Sequence, residues 1–569
     1  MRARWFEVTD GWSTMQREVV AVGLGMILLV GLGLLVALAA IPQWRSWQHA
    51  RVLAQVREHA ERGDYRAMTL ALQLAVKLAP SDPETWRSAA RYLSMIGSAE
   101  AIPARQNLLR LAPDDTTARL ELARDALAFG QPSVAEMALQ GLPEEERKEI
   151  LFHRLAALLA ARTGRPEELF FHLGEVVAAV PGDLSARFNH AMSGLGSPHP
   201  ETHARAWAAL EALTAEPAFC VRAAIALLTE AARKEDAVRM HALLAFLLGR
   251  FAPGVPPNFA GAEMPAWTAL IDGLKQRANS ERDVRLLARW LAAIGRSRDA
   301  VIWLEARPAA IAQSPAVLDL RAELCAATDD LDRLERLLQQ KAWGEWSPEA
   351  QRLAIQSRRE HLAGEESSAR ATWNRVETAG HHSVVMFRAM ARLAAAWGDW
   401  AAAERAWRSV IELDRTSQHA FQELSGILER QGDLDKLVDL HEAWMRRAPE
   451  ETVVEAQWIA LSCLRGKPAP AVVVRAEELQ ATLPHARHTV AALAAVRWRQ
   501  GRAREAVALL DSPSRAGVPD PSIAFWRALA AADLADREAF RIARAQLDDA
   551  TLLDQQRRLL ETAAIKIVD

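Results

Sequence analysis

Cysteine, tyrosine and lysine are scarce: 3, 2 and 8 residues respectively among 569. Three cysteines at 220, 325 and 463 are odd in number and far apart, which excludes a disulfide framework. Each sits in an apolar helical segment and reads as a buried free thiol that leaves the compartment open. No sign of charge dominates, since 69 basic residues face 72 acidic ones for a net charge of −3. That balance excludes a wholly basic nucleic-acid binder. With 28 Gly, 26 Pro and 50% hydrophobic residues the chain is neither collagen-like nor disordered.

Catalytic signatures are missing as well. Gly466-Lys467-Pro468 lacks the upstream glycine and the hydroxyl residue of a phosphate loop. His441-Glu442 is not followed by a second histidine at zinc-protease spacing, and there is no CxxC pair or GxSxG elbow. His199 and His203 stand four apart and His485 and His488 three apart, so each pair shares a helical face, but no third ligand lies nearby. With His381-His382 in a turn, they read as solvated histidines at loop–helix junctions. No catalytic residue, metal or cofactor is expected, and no segment is left over for a catalytic domain.

What is present begins with one long apolar run. Residues 19–41 (VVAVGLGMILLVGLGLLVALAAI) carry no charge and, at about 1.5 Å per residue, span a hydrocarbon core of roughly 30 Å. Trp44 and Trp47 follow at the place of an interfacial aromatic belt. Ala37-Leu38-Ala39 resembles a signal-peptidase site, but the run is longer than a usual h-region and the tail before it is long. The run therefore reads as an uncleaved transmembrane helix after a short tail, 1–18. Arg2, Arg4 and Arg17 before it match Arg45, Arg51 and Arg57 after it, so the positive-inside count is a tie. A short tail before a first anchor favours an extracytoplasmic body.

Beyond the anchor a helical pattern restarts at a fixed interval. Turn glycines stand at 63, 97, 130 and 164, then at 295, with an Asp329-Asp330 turn, then at 364, 398, 432, 466 and 501, and finally at Asp536. The steps are 33 to 35 residues wherever they are consecutive. Seven places before the glycine the residue is small: Ala90, Ala123, Ala157, Ala288, Ser357, Ala391, Ser425 and Ala494. Five places after it stand Ala135, Ala300, Ala369, Ala403, Ala471 and Ala506; nine places after it a large apolar residue recurs, as in Leu72, Leu139, Leu173, Leu304, Trp373, Trp407 and Leu510. Small residues suit the close crossing of two helices, and large ones fill the gap between them. Prolines at 80, 113, 181, 449 and 484 stop the second helix of the pair.

These residues resemble the tetratricopeptide repeat, a helix–turn–helix unit of this length. The likeness is closest in Gly63-Asp64-Tyr65 leading to Leu78-Ala79-Pro80, in Gly398-Asp399-Trp400 leading to Ile411-Glu412-Leu413-Asp414, and in Gly432-Asp433-Leu434 leading to Arg447-Ala448-Pro449. It covers 49–182 and 281–548, lacks most of the family's tyrosines, and has Asp for the turn glycine in two repeats. It implies an all-α solenoid. It does not imply one function, because the repeat serves many unrelated assemblies.

Between the arrays, 183–280 reads as degenerate helical repeats. Helices are expected over 183–196, 203–214 and 265–278, with a pair over 219–251 that turns near Lys234, and the Pro/Gly-rich stretch 252–265 must be a loop. Residues 549–569 form an amphipathic helix suited to capping the last repeat.

Most tryptophans fall at core positions of the repeat; Trp343 and Trp346, near the 341–348 turn, are less easily placed there. Arginine shows a more specific pattern. Arg57, Arg91, Arg124, Arg289, Arg358 and Arg392 stand six places before the turn, and Arg87, Arg154, Arg285 and Arg388 ten places before it, one helical turn away on the same face. In tetratricopeptide proteins such positions line the concave groove, so the resemblance implies a basic groove whose guanidinium forks suit carboxylates. Arginine is about one residue in nine here, so one or two such coincidences are expected and six are found at the first place. Gly426, Ala460 and Ala495 occupy that place in the last repeats, which confines any ladder to the first arm and the middle.

The expectation is a membrane-tethered scaffold that binds acidic protein or peptide partners in this groove, without nucleic acid and without catalysis. The alternatives are a binder of an envelope polysaccharide or other anionic polymer, with Trp343 and Trp346 as a stacking site, and a regulatory subunit of an enzyme. The excess of arginine over lysine fits a GC-rich bacterial genome, and hence an inner-membrane location.

Overall fold

The computed structural model describes residues 26, 44 and 47–568, less 198, 235–236, 257–264, 380–382, 416, 449–450, 485 and 512–520. The proposed membrane span at 19–41, apart from Met26, and residues 257–264 of the expected 252–265 loop lie outside the described residues. Among the described residues every regular element is helical, and no helix is long and apolar enough to cross a membrane.

Each helix pair is built by the same local chemistry. The first helix is entered at a side-chain cap, as at Asp82, Asp115, Asp183, Ser280, Ser383 and Ser417, where a carboxylate or hydroxyl accepts from the first-turn N–H groups. It ends on a residue in the left-handed region. These residues are Gly63, Gly97, Gly130, Gly164, Gly295, Asp329, Gly364, Gly398, Gly432, Gly501 and Ala535, with φ between 55° and 84°. In each case the next N–H returns to the carbonyl five residues back, as in Asp64 to His59 (3.0 Å) and Asp399 to Ala394 (2.9 Å). This is the Schellman closure of a helix C-terminus. The following aspartate then caps the second helix at Asp64, Asp330, Asp399, Asp433 and Asp536. One residue that reverses the chain and one that restarts it give the tetratricopeptide-like hairpin its length.

Two turns depart from the expected register. The last one reverses at Ala535, not Asp536, because Asp536 is used as the N-cap of Arg537–Arg544. Gly466 has φ 162°, an extended conformation that any residue adopts, so the second helix of that repeat starts late, at Pro470. Ala471 is consequently exposed, and Val472 and Ala476 are buried in its stead. The other small residues at both crossing positions are buried, as are the large fillers, except that Leu173 is half-buried.

Two compact units result, Met1–Arg147 and Lys148–Asp569. In the second unit the irregular centre forms the helices Leu184–Leu195, Pro200–Leu213, Cys220–Arg233, Ala237–Phe251 and Pro265–Arg277. Gly273 lets the last two cross closely, since a Cβ there would stand 2.2 Å from the Phe251 carbonyl oxygen. At the end, Asp554–Val568 packs on Pro521–Asp533, with Leu552, Leu553 and Leu560 buried. The three cysteines are buried and free.

Candidate functional site

The ten arginines singled out by spacing have three fates. Four tie adjoining repeats together. Arg87 donates to Asp115 (2.9 Å) and Arg154 to Asp183 (2.7 Å), the caps of the next first helices, and Arg388 reaches Asp414 (3.2 Å) and the cap Ser417 (3.3 Å). Arg358 reaches backward and grips both oxygens of Asp329 at 2.7 and 3.0 Å. That fork explains how an aspartate can replace glycine at a left-handed turn: its carboxylate is bound where glycine has nothing to offer. Burial works against the Asp115 carboxylate, but the Ala118 N–H and the Arg87 guanidinium hold its pKa below the ordinary value.

Three more arginines have a single carboxylate close by: Arg124 beside Asp125 (3.4 Å), Arg392 beside Asp319 (3.4 Å) and Arg285 beside Glu281 (3.7 Å). Arg57, Arg91 and Arg289 make no ion pair among the described residues and are exposed; Arg91 lies 6.0 Å from the Tyr92 ring. The row is therefore not a continuous basic stripe, and much of it is consumed in joining repeats.

One stretch of it opens on a cavity. Leu184–Leu195, Cys220–Arg233 and Glu281–Ala293 surround a space of about 820 Å³. Phe188, Met192, Leu195, Ile225 and Leu286 make an apolar floor. Arg222, Arg233, Arg282, Arg285 and Arg289 stand around it, with Glu230 the one acidic residue in its lining. Arg222 is engaged by Asp283 (2.9 Å) and Arg233 by Glu230 (2.7 Å). Burial works to raise the Glu230 carboxyl, yet hydrogen bonds from Arg233 and His203 keep its pKa low, so it stays an anion already matched to its own cations. Arg282 and Arg289 have no such match, and Arg285 Nε is buried without a hydrogen-bond partner. These three lie at i, i+3 and i+7 on one helix face. Spacing to the turn identified Arg285 and Arg289; Arg282, Arg222 and Arg233 carried no repeat signal, though the face shared by 282, 285 and 289 was readable.

His203, His488, Trp343 and Trp346 are placed otherwise than expected. His203 is buried, bonded to Glu230 at 3.1 Å and stacked on Trp207, while His199 is exposed at the start of its helix. His488 is half-buried, not solvated; His485, His381 and His382 lie outside the described residues. Sequence spacing missed a closer pair, His153 and His172, with their Nδ1 atoms 2.9 Å apart. Among the described residues no group of three or more His, Cys, Asp or Glu side chains is arranged to hold a metal. Trp343 and Trp346 are each 7% exposed and belong to the core. Asp319 fixes the first of them, accepting from its backbone N–H at 2.7 Å while its own carbonyl takes the indole N–H at 3.2 Å. Neither ring offers a face for stacking on a sugar.

No protein-family model matches the chain, and no curated protein matches it. Among solved structures it is similar to yeast Tom70, at 12% identity and a TM-score of 0.29, covering 92% of this chain and 100% of that one. It is also similar to Naa15/Naa10 bound to HypK-THB (14%, 0.24, 92% and 99%) and to the P58(IPK) TPR domain (12%, 0.19, 92% and 98%). Scores this low carry no argument, so the repeat architecture rests on the chain's own helix pairs and turns.

Proposed function

We propose that the protein is a non-catalytic scaffold, tethered to a membrane by residues 19–41, that docks a protein partner through the cavity centred on Arg282, Arg285 and Arg289. The observation that carries this reading is the cavity itself: an apolar floor of five side chains edged by guanidinium groups, of which two have no partner carboxylate. Its complement is a peptide segment with one or two large apolar side chains beside acidic residues. Surface carboxylates meeting such arginines form charge-assisted hydrogen bonds, and the apolar contact supplies the desolvation that makes them count. An anchor adjoining the repeats is supported by the exposed Trp44 and Trp47, whose rings stand 5.3 Å apart with Arg51 over the second at 5.4 Å. A bacterial inner membrane is the location in keeping with the excess of arginine over lysine.

The test uses a fluorescent helical peptide carrying leucines on one face and glutamates at i and i+4, titrated into the full-length protein, with a lysine-for-glutamate peptide as control. The acidic peptide is expected to bind, and Arg282→Ala with Arg289→Ala to weaken it about tenfold or more, which is about 1.4 kcal/mol. Equal binding of both peptides, or no change in the double variant, would remove the cavity from the proposal.

A further inference from the structure

The first helix pair is short of acidic residues. At 72 in 569, about one position in eight of the chain is acidic, yet 42–57 and 65–81 hold none. Arg51, Arg57, Arg66 and Lys77 stand in these stretches, while Glu58, Glu61 and Asp64 gather at the Gly63 turn. The Tyr65–Leu78 helix buries Met68, Leu72 and Ala75. Its opposite face carries Arg66, Leu70, Leu74 and Lys77, at i, i+4, i+8 and i+11, and all four are exposed. Leu70 is 60% and Leu74 47% exposed, and neither Arg66 nor Lys77 has an ion pair among the described residues. Two leucines set between two such cations are the pattern of a helix that lies in a lipid headgroup layer.

The chain brings this face to the end of the anchor. Residues 47–61 are helical, and the Gly63 turn sends Tyr65–Leu78 back along them. His49 Nε2 lies 2.6 Å from the Thr85 hydroxyl and 3.7 Å from Asp82, so the start of the first helix is fixed beside the chain that follows Lys77 and Leu78. The exposed Trp44 and Trp47 are at the same end. The proposed span stops at residue 41, and the five residues before the helix at 47 reach about 17 Å at most. Tyr65–Leu78, with 14 residues, is about 21 Å long. The start of the hairpin is therefore held closer to the headgroups than one helix length.

We propose that the face made by Arg66, Leu70, Leu74 and Lys77 docks on a bilayer surface that contains anionic lipid, as a second contact beside the anchor. This rests on the tether proposed above. An anchor and a five-residue link alone let the first unit swivel. Two leucines entered at the headgroup–acyl boundary, with a cation at each end to meet lipid phosphates, fix which side of that unit faces the membrane. The acidic residues at the Gly63 turn lie at the far end of the hairpin from the anchor, where they do not oppose the contact.

The test places the full-length protein in nanodiscs of phosphatidylcholine, or of phosphatidylcholine with about one-third phosphatidylglycerol, both doped with nitroxide-labelled lipid. A fluorophore is attached at Gln73→Cys, an exposed site beside the leucines, or at Ala128→Cys, an exposed site elsewhere in the unit; the three native thiols are buried and stay unlabelled. Quenching by lipid is expected at 73, more strongly in the anionic discs, and not at 128. Arg66→Gln with Lys77→Gln should lower the ratio of docked to lifted hairpins about thirtyfold in the anionic discs. Leu70→Ser with Leu74→Ser should abolish quenching in both, with helix content unchanged because all four side chains are exposed. Equal signals at 73 and 128 in protein held by the discs would overturn the docking and leave the anchor standing. Equal quenching at 73 in the two lipids would overturn the preference for anionic headgroups. A blue-shifted fluorophore at 73 that lipid does not quench would put a second copy of the chain on this face and overturn lipid as its occupant. Protein that never enters the discs would remove the anchor; vesicles of the anionic composition are then added from outside. A label at 73 quenched there keeps the lipid face without the tether, and one left unquenched overturns both.

Discussion

Arg105 is the arginine whose loss the fold should tolerate least, and spacing to the turn gave no reason to single it out. It is 1% exposed in the first unit, and its guanidinium is divided among Asp125 (2.6 Å to Nε), Glu121 and the Ser94 hydroxyl (3.3 Å). Arg105→Met fills much the same volume with an apolar chain and leaves Asp125 buried. The Asp125 carboxylate then keeps only the Ser94 hydroxyl at 2.5 Å and the exposed Arg124 at 3.4 Å. Removing one member of a buried ion pair costs about 3–5 kcal/mol; the two remaining donors place this case near the lower end, about 3 kcal/mol. At 1.4 kcal/mol per factor of ten, amide exchange in peptides from 83–128 should speed up by roughly a hundredfold. Peptides from the second unit serve as the internal standard. Adding Glu121→Leu and Asp125→Leu to the same chain should restore most of the protection, because no uncompensated charge is then left inside. An acceleration below about tenfold, or one shared equally by both units, would refute the view that this network holds the first unit together.

The remaining expectations concern single atoms and single torsions. Gly273→Ala drives a methyl group into the Phe251 backbone, 2.2 Å from its oxygen, and should destabilise the second unit by about 2–3 kcal/mol in urea unfolding; a change under 0.5 kcal/mol would mean the two helices part freely. Ala535→Gly relieves a left-handed alanine (φ 57°) and should add about 1 kcal/mol. Asp329→Gly at the same kind of turn should gain nothing, since it forfeits the Arg358 fork. Thiol titration at pH 8 should find no rapidly reacting cysteine in the native protein and three after denaturation, because burial pushes Cys325 and Cys463 up to about 12 and raises Cys220.

The repeat was legible because one backbone requirement recurs. A helix closed by a left-handed residue favours glycine, so the turn is written in the sequence every 33 to 35 residues and the crossing positions follow from it. Where the requirement is met by another residue the reading slips, as at Ala535, whose neighbour Asp536 looked like the turn because it is the cap. Where glycine is present without the requirement, as at Gly466, the periodicity misleads by one residue and exposes Ala471. Helices in the centre were placed by their punctuation, yet their packing was not, because the Gly273 crossing depends on contact with Phe251 rather than on any repeat.

The arginines show why a binding site is harder to read than a fold. A guanidinium six or ten places before the turn lies on the same helix face whether it meets a neighbour's cap or the solvent, and the sequence position is identical in both cases. What separates Arg87 from Arg285, both ten places before the turn, is the residue that caps the next first helix. Asp115 caps the next first helix within reach of Arg87, whereas the cap of the helix after Arg285 is Ser314, which offers no carboxylate. An acidic cap within reach consumes Arg87 and Arg154, whereas Arg285 Nε, without one, is left without a hydrogen-bond partner. By the same logic, placing an aspartate within reach of Arg289 should convert a binding arginine into a staple. Leu286 lies one turn away on the same helix and lines the same cavity, so Leu286→Asp supplies that carboxylate in place. The change also removes part of the apolar floor, and Leu286→Ala measures that loss alone. Affinity for the acidic peptide should fall further in the aspartate variant than in the alanine one, and equal losses would show that Arg289 contributes nothing to capture.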